Sequence, residues 1–340
     1  MDSLTQIVLG AACGEAILGK KIGNKALLFG AIGGTIPDLD VFVGSLIYNN
    51  KIDAMLFHRG FMHSILFSIL ASLLLGWLTF KRYNSGKRLH TTTQRDWLWL
   101  WFLSLFTHPI LDCFTPYGTQ LFAPFSNYRV AFNNIAVADP FYTLPFLISM
   151  IVLMFFKRQS IRRKFWLKLG VGISSVYMLF TLGNKLYIDN VFRKSLKNSN
   201  ISYARFSTQP SILNNILWFG IAESKTNYYV AFYSLLDSKP YFLNFEELPK
   251  SRVPELEMQN DLKRLAWFSN YYYNTFKLAE NSFSYFDLRY PVLNDNDSST
   301  PIFYFNLFKD EKRLNMKSFE PNTGDFNKAI KLLWERLKGR

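Results

Sequence analysis

Long apolar runs fill the first half of this chain, and short alternating segments replace them beyond residue 184. Runs at 63–80, 97–114, 140–156 and 165–184 have the length, about 17 to 20 residues, that a helix needs to cross a hydrocarbon core. Two shorter stretches rich in Gly and Ala, 4–19 and 26–36, flank the basic link Lys20-Lys21-Ile22-Gly23-Asn24-Lys25. Small residues let helices approach closely, so these stretches read either as tilted spans or as a close-packed hairpin. After residue 200 the pattern predicts strands at 202–207, 215–223, 227–235, 283–290 and 301–307. Helical periodicity returns at 254–269 and 325–338. The expected fold class is mainly α: a polytopic helical membrane domain over 1–184, followed by a small α+β extracytoplasmic domain over 185–340.

Charge refines this picture more than composition does. The chain of 340 residues carries 39 Lys and Arg against 25 Asp and Glu, a formal net charge of +14. Much of that excess borders the apolar runs, at Lys81, Arg82, Lys87 and Arg88 and again at Lys157, Arg158, Arg162, Arg163 and Lys164. This placement fits orientation by positive loops and contact with anionic membrane lipid. It gives no aromatic-basic signature of nucleic-acid binding. Assigning both basic loops, together with the Lys20–Lys25 link, to the cytoplasm puts residues 37–62, 115–139 and the C-terminal half on the opposite face. The start MDSLTQ has no basic n-region, so a removable signal peptide is not expected. Cys13 and Cys113 both sit in apolar stretches and make no disulfide framework.

Under that assignment the chemistry gathers at one face. Three of the four histidines fall in two motifs, His58-Arg59-Gly60-Phe61-Met62-His63-Ser64 and Thr107-His108-Pro109-Ile110-Leu111-Asp112. His108 and Asp112, four apart, share a helix face, and Pro37-Asp38-Leu39-Asp40 closes an apolar segment upstream. Asp38, Asp40, His58, His63, His108 and Asp112 are therefore candidate metal ligands, and Asp139 falls at the same depth. Ionisable groups near a bilayer core are costly unless paired, hydrated or metal-bound. Imidazole with carboxylate suits zinc, manganese or iron(II), with zinc the first expectation and manganese the second. Asp38, Asp40 and Arg59 are the candidate catalytic groups, the carboxylates as ligand or general base and the guanidinium to orient an anion. Singly, each has a plainer reading: Asp38 or Asp40 as a helix cap, Asp112 as a partner of His108. Arg129, Asn133 and Asn134 could line the same mouth or be ordinary loop residues. His90 sits in the basic loop and reads as solvated. The C-terminal half has no His or Cys and no calcium-loop spacing, and Tyr271-Tyr272-Tyr273 reads as strand packing.

Four stretches, MDSLTQIVLGAACGEAILGKK, GTIPDLDVF, FHRGFMHS and FTHPILDCFTPYGTQLFAPFSNYRVAFNNIAVADPFYTLP, resemble the YdjM family of membrane-bound proteins classed as metal-dependent hydrolases. The resemblance covers roughly residues 1–150 and implies a helical membrane domain with a metal site similar to that of zinc-dependent phospholipase C enzymes. It maps onto Asp38, Asp40, His58, His63, His108 and Asp112. The family often opens with Thr-His, whereas Gln6 follows Thr5 here, leaving Gln6 or Asp2 to take the place of that histidine. The expected function is hydrolysis of an ester or phosphoester, of lipid or envelope origin, in a plasma or inner membrane. The alternative is a non-enzymatic membrane scaffold or regulatory factor whose His/Asp cluster is structural. A transporter fits less well, since its site belongs near the midplane.

Overall fold

The computed structural model describes residues 1–290, 292–295, 298–301, 303–310, 313–317 and 331–340. The chain forms two compact units. One comprises Met1–Gly44, Phe57–Gly183 and Ile212–Asn214, the other Ser45–Leu56, Asn184–Ser211 and Asn215–Arg340.

The first unit is helical. Helix α1 (Ser3–Ile22) starts at Asp2, whose carboxylate accepts from the Thr5 backbone N–H, and ends at Gly23, with Lys20 and Lys21 in its last turn. Those cations oppose the negative end of the helix dipole. Gly23 has φ 62, a left-handed conformation that glycine adopts without a Cβ penalty, so the chain reverses at once into α2 (Asn24–Thr35). The two helices pack antiparallel along Gly10, Gly14, Gly30 and Gly34. A Cβ at Gly14 would overlap the Ala26 carbonyl, and one at Gly34 the Gln6 carbonyl. This seam makes the Gly- and Ala-rich stretches a close-packed hairpin, one of the two arrangements their small residues allow.

The segment expected as a loop over 37–62 is largely ordered. A 3₁₀ turn (Ile36–Leu39) leads into α3 (Asp40–Ile47), then α4 (Lys51–Phe57) and a second 3₁₀ turn (Phe61–His63). Ser64 caps α5 (Ile65–Tyr83), and a Thr93/Asp96 capping box opens α6 (Gln94–Asp112). Asp139 caps α7 (Pro140–Leu153), and α8 (Ile161–Asn198) runs for 38 residues. Among the described residues, three helical segments are long and apolar enough to cross a membrane: Asn24–Ile47, α5 and α8. The span expected at 140–156 is a helix of only 14 residues. The span expected at 97–114 corresponds to α6, whose Trp97, Leu100, Trp101, Leu105 and Leu111 are buried, so it is the central helix.

Helix α5 is packed inside out by the standard of a water-soluble protein. Ser68, Ser72 and Gly76 face inward, while Leu70, Leu73, Leu74, Trp77 and Leu78 are exposed. Small residues inside and large apolar residues outside are what lipid as solvent selects. The hydrophobic packing of this unit comprises one cluster around Leu18, Trp97, Leu100 and Trp101, and another around Leu111, Tyr142, Phe146 and Met150.

The second unit is built mainly from antiparallel strands. One sheet has the order β1 (Arg205–Pro210), β2 (Leu217–Glu223), β3 (Asn227–Ser234), β4 (Glu246–Pro249). The second is formed by β5 (Tyr273–Ala279) and β6 (Ser282–Asp287), with β9 (Tyr304–Asp310) and β10 (Arg313–Met316), in the order β10-β9-β6-β5; β7 (Val292–Asp295) and β8 (Ser298–Pro301) make a hairpin. Ile188, Val191, Phe192 and Leu196 of α8 join the core of the first sheet with Trp218, Ala231 and Phe242. The first strand begins at Arg205 and runs to Pro210, beyond the expected 202–207, because β1 is an edge strand where proline's missing N–H is tolerated. The helix expected over 254–269 is broken into α9 (Pro254–Glu257) and α10 (Asn260–Phe268), since Gln259 takes an extended conformation as the cap of α10. Residues 331–337 are helical; the earlier part of the helix expected at 325–338 lies outside the described residues. Tyr272 is buried and Tyr273 stacks on Tyr285 at 5.2 Å, packing as expected, whereas Tyr271 is exposed just before β5.

Candidate metal centre

Four short pieces of the first unit converge on one cluster. The Ile36–Leu39 turn carries Asp38, and Asp40 opens α3. His58 and Arg59 follow α4, with Arg59 at φ 59, a left-handed conformation that a side chain adopts only when its surroundings hold it there. His63 ends the second 3₁₀ turn just before α5, and the last turn of α6 supplies His108 and Asp112.

Hydrogen bonds fix how the rings are used. His108 Nδ1 lies 2.6 Å from the Gly34 carbonyl oxygen, which can only accept, so Nδ1 carries the proton. Nε2 of the neutral ring then presents a lone pair. His63 Nδ1 lies 3.0 Å from Asp40 Oδ2 without an aligned hydrogen bond; a neutral ring that turns its N–H toward this carboxylate leaves Nε2 unprotonated. These two Nε2 atoms face each other at 3.2 Å. Two lone pairs so placed repel unless a proton or a cation lies between them.

The carboxylates complete a four-donor set. Asp38 Oδ1 is 3.4 Å from both Nε2 atoms, and Asp112 Oδ2 is 3.4 Å from His63 and 3.5 Å from His108. Zinc bonds of about 2.0–2.2 Å in a tetrahedral site imply donor–donor separations of about 3.3–3.6 Å, which brackets four of these distances and lies just above the fifth. Asp112 Oδ2 is buried beside the Arg59 Nε, 3.2 Å away, but accepts no aligned hydrogen bond. A buried carboxylate oxygen with no aligned hydrogen bond, facing two imidazole nitrogens, fits a cation well. His63, His108 and Asp112 are all buried, whereas the Asp38 side chain is 22 % exposed, so the cluster opens to its surroundings beside Asp38.

A second group, Asp40, His58 and His63, also meets the geometry of a metal site and shares His63 with the first. Asp40 Oδ1 lies 2.7 Å from His58 Nδ1, and Oδ2 accepts from the Arg59 backbone N–H at 2.9 Å while lying beside His63 Nδ1. A carboxylate behind a histidine orients that ring and raises its basicity. Burial lowers the pKa of His58, outweighing the pull of Asp40, so His58 is neutral at pH 7. The Arg59 guanidinium is itself engaged: Nε lies 3.2 Å from Asp112 Oδ2, a terminal N–H donates to Thr115 at 2.9 Å, and its carbon stands 4.7 Å above the Tyr117 ring.

All six candidate ligands and Arg59 thus lie in one cluster, and Gln6 joins it. The Gln6 amide donates to Asp112 Oδ1 at 3.0 Å and to the His108 carbonyl at 3.2 Å, and the Met1 amino group also contacts Asp112 Oδ1. Asp2 caps α1. Asp139 lies outside the two groups, accepting from the Phe141 N–H and from the Tyr177 hydroxyl. Asn134 donates to Thr181, and Arg129 donates to the Tyr117 and Gly118 carbonyls. His90 is exposed in the basic loop. The Gly34 carbonyl, Thr115 and Tyr117 were not foreseen; the Gly-Gly pair ending α2 was the one signal that backbone there meets another helix closely.

Residues 1–187 match the YdjM inner membrane protein family, and the chain belongs to it. It is 31 % identical over 160 residues to the uncharacterized protein YfhP of Bacillus subtilis (strain 168), a match covering 45 % of this chain and 46 % of that relative. The chain thus spans about half the length of the curated relative it matches. No solved structure matches.

Proposed function

We propose that this inner membrane protein is a metal-dependent hydrolase acting on an ester or phosphoester of lipid or envelope origin. The observation that carries the proposal is the set of five donor–donor separations between 3.2 and 3.5 Å among Asp38, His63, His108 and Asp112, two of whose donor atoms are imidazole Nε2 nitrogens facing each other. These four residues would hold one divalent cation, zinc or manganese. Bound there, the cation would polarise the scissile oxygen and acidify water. Asp40 keeps the His63 ring turned toward the cluster and holds His58 at its edge. His58, neutral and partly exposed, is placed to take a proton through Nε2 while Asp40 receives its Nδ1–H. Arg59 holds Asp112 in place and offers positive charge beside the opening.

The basic segments 20–25, 81–96 and 157–164 favour a topology with those loops in the cytoplasm and the cluster and C-terminal unit on the other side. Cysteine-labelling of Phe61→Cys and Lys87→Cys in intact cells tests it: only the first should react with an impermeant reagent.

Elemental mass spectrometry on detergent-purified protein tests the centre. Wild type should hold at least one zinc or manganese per chain, lost in His63→Ala and His108→Ala, and a screen of phosphoester and lipid substrates should then show turnover sensitive to chelators. Well-folded wild type that takes up no metal on reconstitution would support the second reading, a non-enzymatic membrane factor. In that reading a proton sits between His63 and His108 and the cluster only braces the helices, so His108→Ala would lower stability rather than turnover.

A further inference from the structure

The first unit contains a second polar feature that the His/Asp cluster does not use. Between the start of α2, the end of α7 and the start of α8 lies a cavity of about 830 Å³. Lys25, Lys157, Arg158 and Arg163 line it, and no Asp or Glu does. Arg163 is buried and already neutralised, donating to both oxygens of Glu15 at 2.7 and 2.6 Å. Lys25, Lys157 and Arg158 remain exposed, and no described carboxylate pairs with them. Ser160 and Asn24 add neutral polar groups, and the Arg158 guanidinium is steadied by the Lys21 carbonyl at 2.7 Å.

The remaining wall is apolar: Ile22, Met154 and Phe156. Three cations with no counter-charge beside an apolar wall match a molecule with an anionic head and a hydrocarbon tail. In a membrane protein the available molecule of that kind is an anionic phospholipid, and basic pockets between spanning helices are where such head groups lodge. The volume suits a head group together with the first part of its chains. Sixteen residues of α1 separate Gln6, at the His/Asp cluster, from Ile22, at this cavity, about 24 Å at 1.5 Å per residue. The two sites therefore lie near opposite ends of one helix.

We propose that this cavity is a specific binding site for the phosphate-bearing head group of an anionic phospholipid, with Lys25, Lys157 and Arg158 as its recognition residues. The site is independent of the hydrolase reading.

Native mass spectrometry of the full chain in detergent, titrated with short-chain phosphatidylglycerol, phosphatidylcholine or inorganic phosphate, tests it. Wild type should bind one phosphatidylglycerol at least tenfold more tightly than phosphatidylcholine. Lys25→Ala/Lys157→Ala should reduce that affinity about 20- to 30-fold, roughly fivefold per cation removed. Lys81→Ala/Arg82→Ala removes the same charge away from the cavity and should leave it unchanged. Unaltered thermal melting of both double variants in detergent reports that the unit is folded. Equal binding of the two lipids, or an equal loss in both double variants, would overturn the proposal, because either means charge attraction without a site. Inorganic phosphate displacing the lipid at comparable concentration would overturn it in favour of a soluble anion site.

Discussion

Asp40→Asn separates a ligand from a residue that orients one. In the structure Asp40 touches three N–H groups, those of His58 Nδ1 at 2.7 Å, His63 Nδ1 at 3.0 Å and the Arg59 backbone at 2.9 Å, and each needs an acceptor. Asparagine keeps one acceptor oxygen and turns the other position into a donor. Whichever way the amide settles, one imidazole meets an N–H instead of an oxygen. If that ring is His63, its tautomer is no longer fixed and part of the population presents a protonated Nε2 to the cluster. Loss of such an outer partner lowers metal affinity about 10- to 100-fold, equivalent to about 1.4–2.7 kcal/mol. Zinc titration of detergent-purified protein against a competing chelator reads this directly. Asp40→Asn should weaken binding within that range, while Asp38→Ala and His108→Ala should abolish it. Unchanged affinity in Asp40→Asn would refute the orienting role. Abolition as complete as in His108→Ala would make Asp40 a direct ligand, and the outer-partner argument would be wrong.

Other outcomes follow from the helix contacts and from the second unit. Gly34→Ala should lower thermal stability by about 1–3 kcal/mol, since its Cβ overlaps the Gln6 carbonyl, and should weaken zinc binding as well; Gly172→Ala, which meets open space, should do neither. Arg163→Met should destabilise by about 3–5 kcal/mol by stranding the buried Glu15, and adding Glu15→Leu should recover most of the loss in melting temperature. In the second unit, burial works to raise the pKa of Asp237, but hydrogen bonds from Arg336 outweigh it and the carboxyl is held below its usual range. A depressed carboxyl stabilises the fold above its unfolded pKa of about 3.9 and loses that contribution as pH falls through the folded value. Near-ultraviolet circular dichroism between pH 6 and 2 should therefore show acid unfolding that Asp237→Asn makes less steep; identical profiles would remove Asp237 from the account.

The cluster was readable in the sequence because its parts are chemically rare there. Only four histidines occur, and three fall where apolar runs begin or end, beside Asp38, Asp40 and Asp112. Spacing could not divide those residues into direct and outer partners, since that division depends on which ring nitrogen meets Gly34 or Asp40. Hydropathy located the helices better than it ranked them. It gave α6 the same standing as α5, because the pattern does not distinguish buried Trp97 and Trp101 from exposed Leu73 and Leu74. In the second half, β1, β2, β3, β6 and β9 were visible as aromatic alternation. Strands such as β4 (Glu-Glu-Leu-Pro) were not, because an edge strand with half-exposed charge carries no such pattern. Gln6 was singled out for what it replaces, and its role as donor to Asp112 became clear only from the fold.

The seam between α1 and α2 has a consequence for the chemistry of a side chain on a third helix. Gly34 brings its α-carbon against the backbone of α1, and its own carbonyl reaches His108. The position of a proton on an imidazole is thus decided by how thin two helices are. Any residue that thickened the hairpin by one methyl group would push that carbonyl away, and the ring would be free to move its proton to the nitrogen now aimed at His63. Evolution can therefore tune this centre without altering any of its six ligand candidates, by trading glycine for alanine in the seam that ends just before Asp38.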